Sequence, residues 1–222
     1  MRPRSVGALD RLSAALAVGT ALWALLLLSA FPEVDGLARG HGGSVLGLEL
    51  ATLPAHVAPL AGDAAEPARR AFDRGHALDM VFPLFYGGLL AALLWRGRGP
   101  TSALGRVAAV LTVPADVREN LVLWDLTAEL DAGGDGTVAL AALPLATWTK
   151  WSCLAAALAA TGVQEARVHE LLGGTALLAA GAIVTLGLTG APLVAQVMNA
   201  SLVVFYAAAV VTTVRAVTTP TR

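Results

Sequence analysis

Charge is the scarcest property of this 222-residue chain: Asp, Glu, Lys and Arg make up 14% of it. A soluble domain carries about 25%, so the charged groups are too few to cover a wet surface. Cys153 is the only cysteine, which excludes an intrachain disulfide and any cysteine-cluster metal site. A formal net charge of −1 lacks the basic surplus that nucleic-acid binding needs, and no nucleic-acid partner is expected. His41, His56, His76 and His169 are scattered, without the paired spacing of a zinc site or of two axial haem ligands. Dinucleotide, phosphate-loop and nucleophile-elbow motifs are absent as well, so neither a metal nor an organic cofactor is expected. Aromatic residues amount to 5%, which favours closely packed small side chains over a bulky interior.

What the chain has is apolar length. Hydrophobic residues make up 56% and mean hydropathy is +0.69. Runs of 18 or more apolar residues recur, each long enough to cross ~30 Å of hydrocarbon as a helix. The expected fold is all-α: one polytopic membrane bundle over 1–222, with about six spans at 12–31, 77–95, 103–126, 138–160, 171–188 and 192–212. The stretch from 171 to 211 is too long for one crossing, and its TGAP segment supplies the turn that divides it. The N-terminal run exceeds a usual signal-peptide core and lacks an A-x-A site after it, so it reads as an uncleaved anchor.

Arginine placement sets the orientation. With both termini cytoplasmic, Arg2, Arg4, Arg11, Arg96, Arg98, Arg106, Arg167, Arg215 and Arg222 lie inside, and the short loop TAELDAGGDG outside is purely acidic. Arg39, Arg69, Arg70 and Arg74 then fall in one long outer loop, 32–76, read as a solvated segment with a short amphipathic helix or, alternatively, a re-entrant lid. Trp95 and Trp124 fit the two interfacial belts. No internal repeat is visible. A multi-pass protein of the cell membrane, in contact with membrane lipid, is the expected setting.

The third span carries PADVREN at its middle. A charged group at the bilayer centre costs roughly 2.5–3.5 kcal/mol on insertion scales, so such clusters usually face a partner, a cavity or a substrate. Asp116, Glu119 and Asn120 stand at i, i+3 and i+4 and share one face, whereas Arg118 points away, towards the side of Asp125. Two carboxylates a turn apart in low dielectric cannot both ionise cheaply; one holds a proton, or cations neutralise both. Such a pair suits acid–base catalysis or proton coupling. Pro114 upstream frees a backbone carbonyl nearby. His76, Asp79, Pro83, Tyr86 and Gly87 form a second face, Thr147, Lys150, Trp151 and Leu154 a third, and Gln196, Asn199 and Tyr206 a fourth.

The candidate catalytic residues are therefore Asp116, Glu119 and Asp79, with Asn120, Tyr86, His76, Lys150, Trp148, Trp151 and Asn199 as candidate substrate contacts. Plainer roles compete. Asp116 and Glu119 with Arg118 and Lys150 sum to zero charge and would make a buried ion network that only fixes packing. Asp79 and His76 lie close enough to the outer surface to be solvated. Asn199 serves equally as interhelical glue, Trp148 and Trp151 as packing, and Lys150 as a break in its span.

HALDMVFPLFYG followed by PADVRENLVL resembles a pattern in uncharacterised small bacterial integral membrane proteins with an Asp-x-x-Glu-Asn motif, over the second and third spans. That resemblance implies no activity. The general plan is similar, at the level of architecture alone, to membrane sterol isomerases of the emopamil-binding type and to small membrane terpene cyclases, which place acids among helices to protonate an apolar substrate. The leading expectation is an acid–base enzyme, isomerase or cyclase, acting on a lipid or isoprenoid as its apolar small-molecule substrate. Asp116 or Glu119 would be the acid, and Tyr86, Trp148 and Trp151 would stabilise developing positive charge. A small proton-coupled transporter or channel is the first alternative, and a non-catalytic subunit of a membrane complex the second.

Overall fold

A computed structural model describes residues 7–37 and 43–219. Arg2, Arg4, Arg39, His41 and Arg222, invoked above, lie outside those residues. Among the described residues every regular element is helical, in the order α1 (Ala8–Ala30), α2 (Ser44–Glu49), α3 (Pro54–Val57), α4 (Glu66–Asp79), α5 (Phe82–Trp95), α6 (Pro100–Asp131), α7 (Thr137–Glu165), α8 (Glu170–Thr189) and α9 (Pro192–Thr218). Among the described residues four segments are long and apolar enough to cross a membrane: Ala8–Ala30, Asp63–Trp95, Glu170–Thr189 and Pro192–Thr218.

The long helices close a ring. α5 packs on α6, α6 on α7, α7 on α8, α8 on α9, α9 on α1, and α1 back on α5. Small residues set these distances. A Cβ at Gly105 would collide with the Ala160 methyl, and one at Gly162 would sit 2.6 Å from Leu177 Cγ, so α6, α7 and α8 approach almost backbone to backbone. The outward face of α6 presents Leu104, Val107, Val110, Leu111 and Leu121 at helical spacing.

The turn between α8 and α9 is the one expected from TGAP: Gly190 takes φ +62° and Pro192 opens the next helix. The α6–α7 turn is fixed by Asp135, whose carboxylate accepts hydrogen bonds from the Thr137 amide at 3.0 Å and hydroxyl at 2.6 Å. Those bonds hold the Asp135 carboxyl below its usual range.

Two expectations need correction. The second span does not begin at residue 77. α4 already starts at Glu66, and a break at Met80–Val81 separates it from α5. Pro83 explains the break, because it has no N–H to give the Asp79 carbonyl four residues back. The described part of the loop 32–76 is also not solvated throughout: residues 52–55 and 61–64 are exposed, but the segment buries one side on the bundle. Leu48, Leu60 and Phe72 are fully buried, and α2 packs on α6 and α7. Arg69, expected as a loop charge, is 3% exposed. It pairs with Asp131 and donates to the Leu60 and Gly62 carbonyls at 2.7 and 2.8 Å, stapling the segment to the end of α6. Trp124 donates to the Asp73 carbonyl at 3.1 Å, which pins α4 to α6.

Candidate functional site

The polar groups of five helices (α4, α5, α6, α7 and α9) and the short α2 meet inside the ring. Lys150 lies thirteen residues into α7, about 20 Å from its start, and Tyr206 lies fourteen residues into α9, about 21 Å from its start. Asp116 is sixteen residues into α6, about 24 Å along it. All three positions are near the middle of their helices. Asp79 joins them because the α4–α5 break falls at this level.

Lys150 is the hub. Its ammonium pairs with Glu119, with Glu49 Oε1 at 3.1 Å, and faces Asp116 Oδ1 at 3.8 Å. Glu119 is fully buried, Asp116 is 3% exposed and Lys150 5%. Tyr86 donates its hydroxyl proton to Asp116 Oδ2, and Asn120 Nδ2 donates to Asp79 Oδ2 at 3.0 Å. Lys150 Nζ also stands 4.6 Å from the centre of the Trp151 ring, within the range of a cation–π contact.

Glu49 is the member that sequence reasoning missed. It ends α2 in the segment expected to be solvated, and nothing in its neighbourhood of the sequence has helical spacing with the other acids. The Thr147 hydroxyl donates to the Glu49 carbonyl at 3.0 Å and holds the segment there. With Glu49 included, the idea that Asp116, Glu119, Arg118 and Lys150 cancel fails. Arg118 is exposed on the outside of α6, and three carboxylates (Glu49, Asp116, Glu119) pair with one ammonium, while Asp79 is held by Asn120.

The cluster borders a cavity of about 150 Å³ lined by Glu49, Asp79, Asp116, Lys150 and the rings of Phe82, Tyr86, Trp151 and Tyr206, with Leu154 and Leu202. A second cavity of about 170 Å³ lies beside it towards the α8–α9 turn, lined by Glu49, Thr52, Pro144, Trp148 and Gly187. Glu49 is common to both. At the opposite end of the ring a cavity of about 810 Å³ is lined by Asp10, Arg96, Gln164, Glu165, His169 and Arg215. Between it and the central cavity stand Leu90, Leu93, Leu158, Phe205 and Ala209, all fully buried.

Several expected contacts fall elsewhere. His76 is buried rather than solvated, but its ring packs edge-on to Phe31 at 5.2 Å and over Phe72 at 6.1 Å, away from the cavity lining. Trp148 belongs to the neighbouring cavity, against Gly187. Asn199 does not line the central cavity, and Asn120 reaches it only through Asp79. Asp79 is half-buried. Among the described residues no group of three His, Cys, Asp or Glu is arranged to hold a metal ion.

No family model, curated protein or solved structure matches the chain. Its chemistry rests on the geometry. Three carboxylates share one ammonium, with Asp116 and Glu119 buried, and they cannot all carry charge cheaply in an apolar interior, because an uncompensated buried ion costs several kcal/mol. Protons or another cation must balance the excess.

Proposed function

We propose that the protein is a six-span protein of the cell membrane with both termini cytoplasmic, and that its central cluster exchanges protons in the service of a small solute moving along the ring axis. The observation that carries this reading is the surplus of carboxylates over Lys150 at mid-helix, beside a cavity that shares Glu49 with a second cavity nearer the outer end. The six-span topology is supported by the apolar outer face of α6 and by the inward turn of the polar groups of α6 and α7. A helix interrupted at the site, as α4–α5 is at Asp79, is a recurrent device of secondary transporters, where freed backbone and helix ends meet the cargo. The leucine and phenylalanine layer towards the arginine-lined inner cavity leaves the site facing one side, as one state of alternating access requires. Inward-facing acids speak against a role in subunit assembly.

A second reading is the acid–base enzyme acting on a lipid or isoprenoid, favoured by the same one-sided closure. Cavity size bears on its form. About 150 Å³ takes a benzene-sized group and falls below the ~300–1,000 Å³ of drug-sized ligand sites. A cyclase must enclose a whole polyene, so this reading narrows to an isomerase that admits only the reacting group. Reconstitution separates the two. The transporter reading expects proton flux into liposomes that Asp116→Asn and Glu119→Gln abolish while both proteins stay folded in detergent. Intact flux in both variants would reject the site. Turnover of a co-purified lipid without flux would favour the enzyme.

A further inference from the structure

We infer that the central cavity is a receptor for a small substituted ammonium group, a quaternary ammonium or protonated tertiary amine of tetramethylammonium size; the inference rests on the site proposed above and names its cargo. Two features point to a cation and a third bounds its size. Aromatic residues are 5% of the chain, yet four of the ten residues lining this cavity are aromatic: Phe82, Tyr86, Trp151 and Tyr206. They stand together, Phe82 with Tyr86 at 5.0 Å and Phe82 with Tyr206 at 6.4 Å between centroids. Aromatic faces attract ammonium groups that carry alkyl substituents, because the ring quadrupole compensates the charge without needing N–H donors.

The acids supply the second feature. Asp79, Asp116 and Glu49 line the same wall. Asp116 Oδ1 and Glu49 Oε2 are buried without a hydrogen-bond partner, and Asp116 is 3% exposed. Lys150 pairs with Glu119 and Glu49 and stands 3.8 Å from Asp116 Oδ1, so one ammonium is shared among three carboxylates and makes no ion pair with Asp79. The third feature is the volume, about 150 Å³, which accepts a compact cation and excludes a bulky one. An ammonium ion arriving between the rings and these oxygens would take the place of protons, and this substitution couples cargo to proton movement. The same ammonium chemistry occurs in free amines and in choline head groups of lipids.

Isothermal titration of the intact protein in detergent tests this, with tetramethylammonium, its neutral isostere neopentane-like tert-butanol, and a short-chain phosphatidylcholine as the three probes. Saturable binding of tetramethylammonium is expected, at least about tenfold tighter than tert-butanol, with protons released to the buffer. Asp116→Asn is expected to weaken it by about tenfold or more, and Tyr206→Leu serves as a second variant in the aromatic wall should Asp116→Asn fold poorly. Equal affinity for tert-butanol, or no binding of tetramethylammonium, overturns the assignment. Tighter binding of the phosphatidylcholine would make the lipid head group the source of the ammonium. If tetramethylammonium fails to bind while proton flux in liposomes is still lost in Asp116→Asn, the cargo is wrong and the proton-exchange site stands.

Discussion

Lys150→Met removes the only ammonium in the cluster while keeping an unbranched side chain one atom shorter. Taken pairwise at an effective dielectric of ~20, its attraction to Glu49 at 3.1 Å is about 5 kcal/mol and to Asp116 at 3.8 Å about 4 kcal/mol. Much of that offsets the cost of desolvating lysine, a cost the variant no longer bears. Breaking a buried pair by removing one partner has a net cost of ~3–5 kcal/mol, and at ~2–4 °C per kcal/mol for a chain of this size the midpoint should fall by about 6–20 °C. The carboxylates left behind are neutralised by protons, so the deficit should shrink as pH is lowered and widen as it is raised. Adding Glu119→Gln should recover part of the loss, since it removes one of the stranded charges. Thermal aggregation of detergent-solubilised protein, followed by size-exclusion chromatography across pH, reads all three. A single variant that melts with the wild type at every pH would refute the reasoning, because the lysine would then neutralise nothing.

Topology is open to thiol labelling in a Cys153→Ser background: Ala132→Cys should react from outside intact cells, and Thr218→Cys only after permeabilisation. The reverse pattern would invert the orientation. Gly105→Leu should abolish monodisperse protein by forcing α6 off Ala160 of α7, an overpacking cost of at least ~1–3 kcal/mol, whereas Gly174→Leu, which meets open space, should be silent. Arg69→Met should free the segment that carries Glu49, seen as faster proteolysis between residues 43 and 65, and unchanged proteolysis would show that the staple to Asp131 is dispensable.

Much of this arrangement could be read from spacing. Asp116, Glu119 and Asn120 share a helix face, and that face is the buried one. Arg118 points out, and TGAP is the turn between α8 and α9. Helical periodicity carries such information because one face of each helix must meet its neighbours. It carries none across a break or an irregular segment. The start of α4 was hidden because EPARRAFDRGHALD is polar by composition, and only packing against α6 and α1 reveals it as helix. Glu49 was hidden for the same reason: its place beside Lys150 depends on Thr147 and on leucines that seat α2 between α6 and α7. The low aromatic content was misleading as a mean. Four of the chain's twelve aromatic residues line one small cavity, a fact of tertiary structure that composition averages away.

The most direct measurement of the central claim is infrared difference spectroscopy of the purified protein near neutral pH, read at the carbonyl stretch of protonated, buried carboxyl groups. Three acids sharing one lysine, with Asp79 lining the same cavity, should give such a band, diminished in Asp116→Asn and again in Glu119→Gln, and altered when a cation occupies the cavity. A spectrum with no protonated carboxyl, unchanged by either substitution, would mean that the charges are balanced in some other way and that the cluster is a structural clamp.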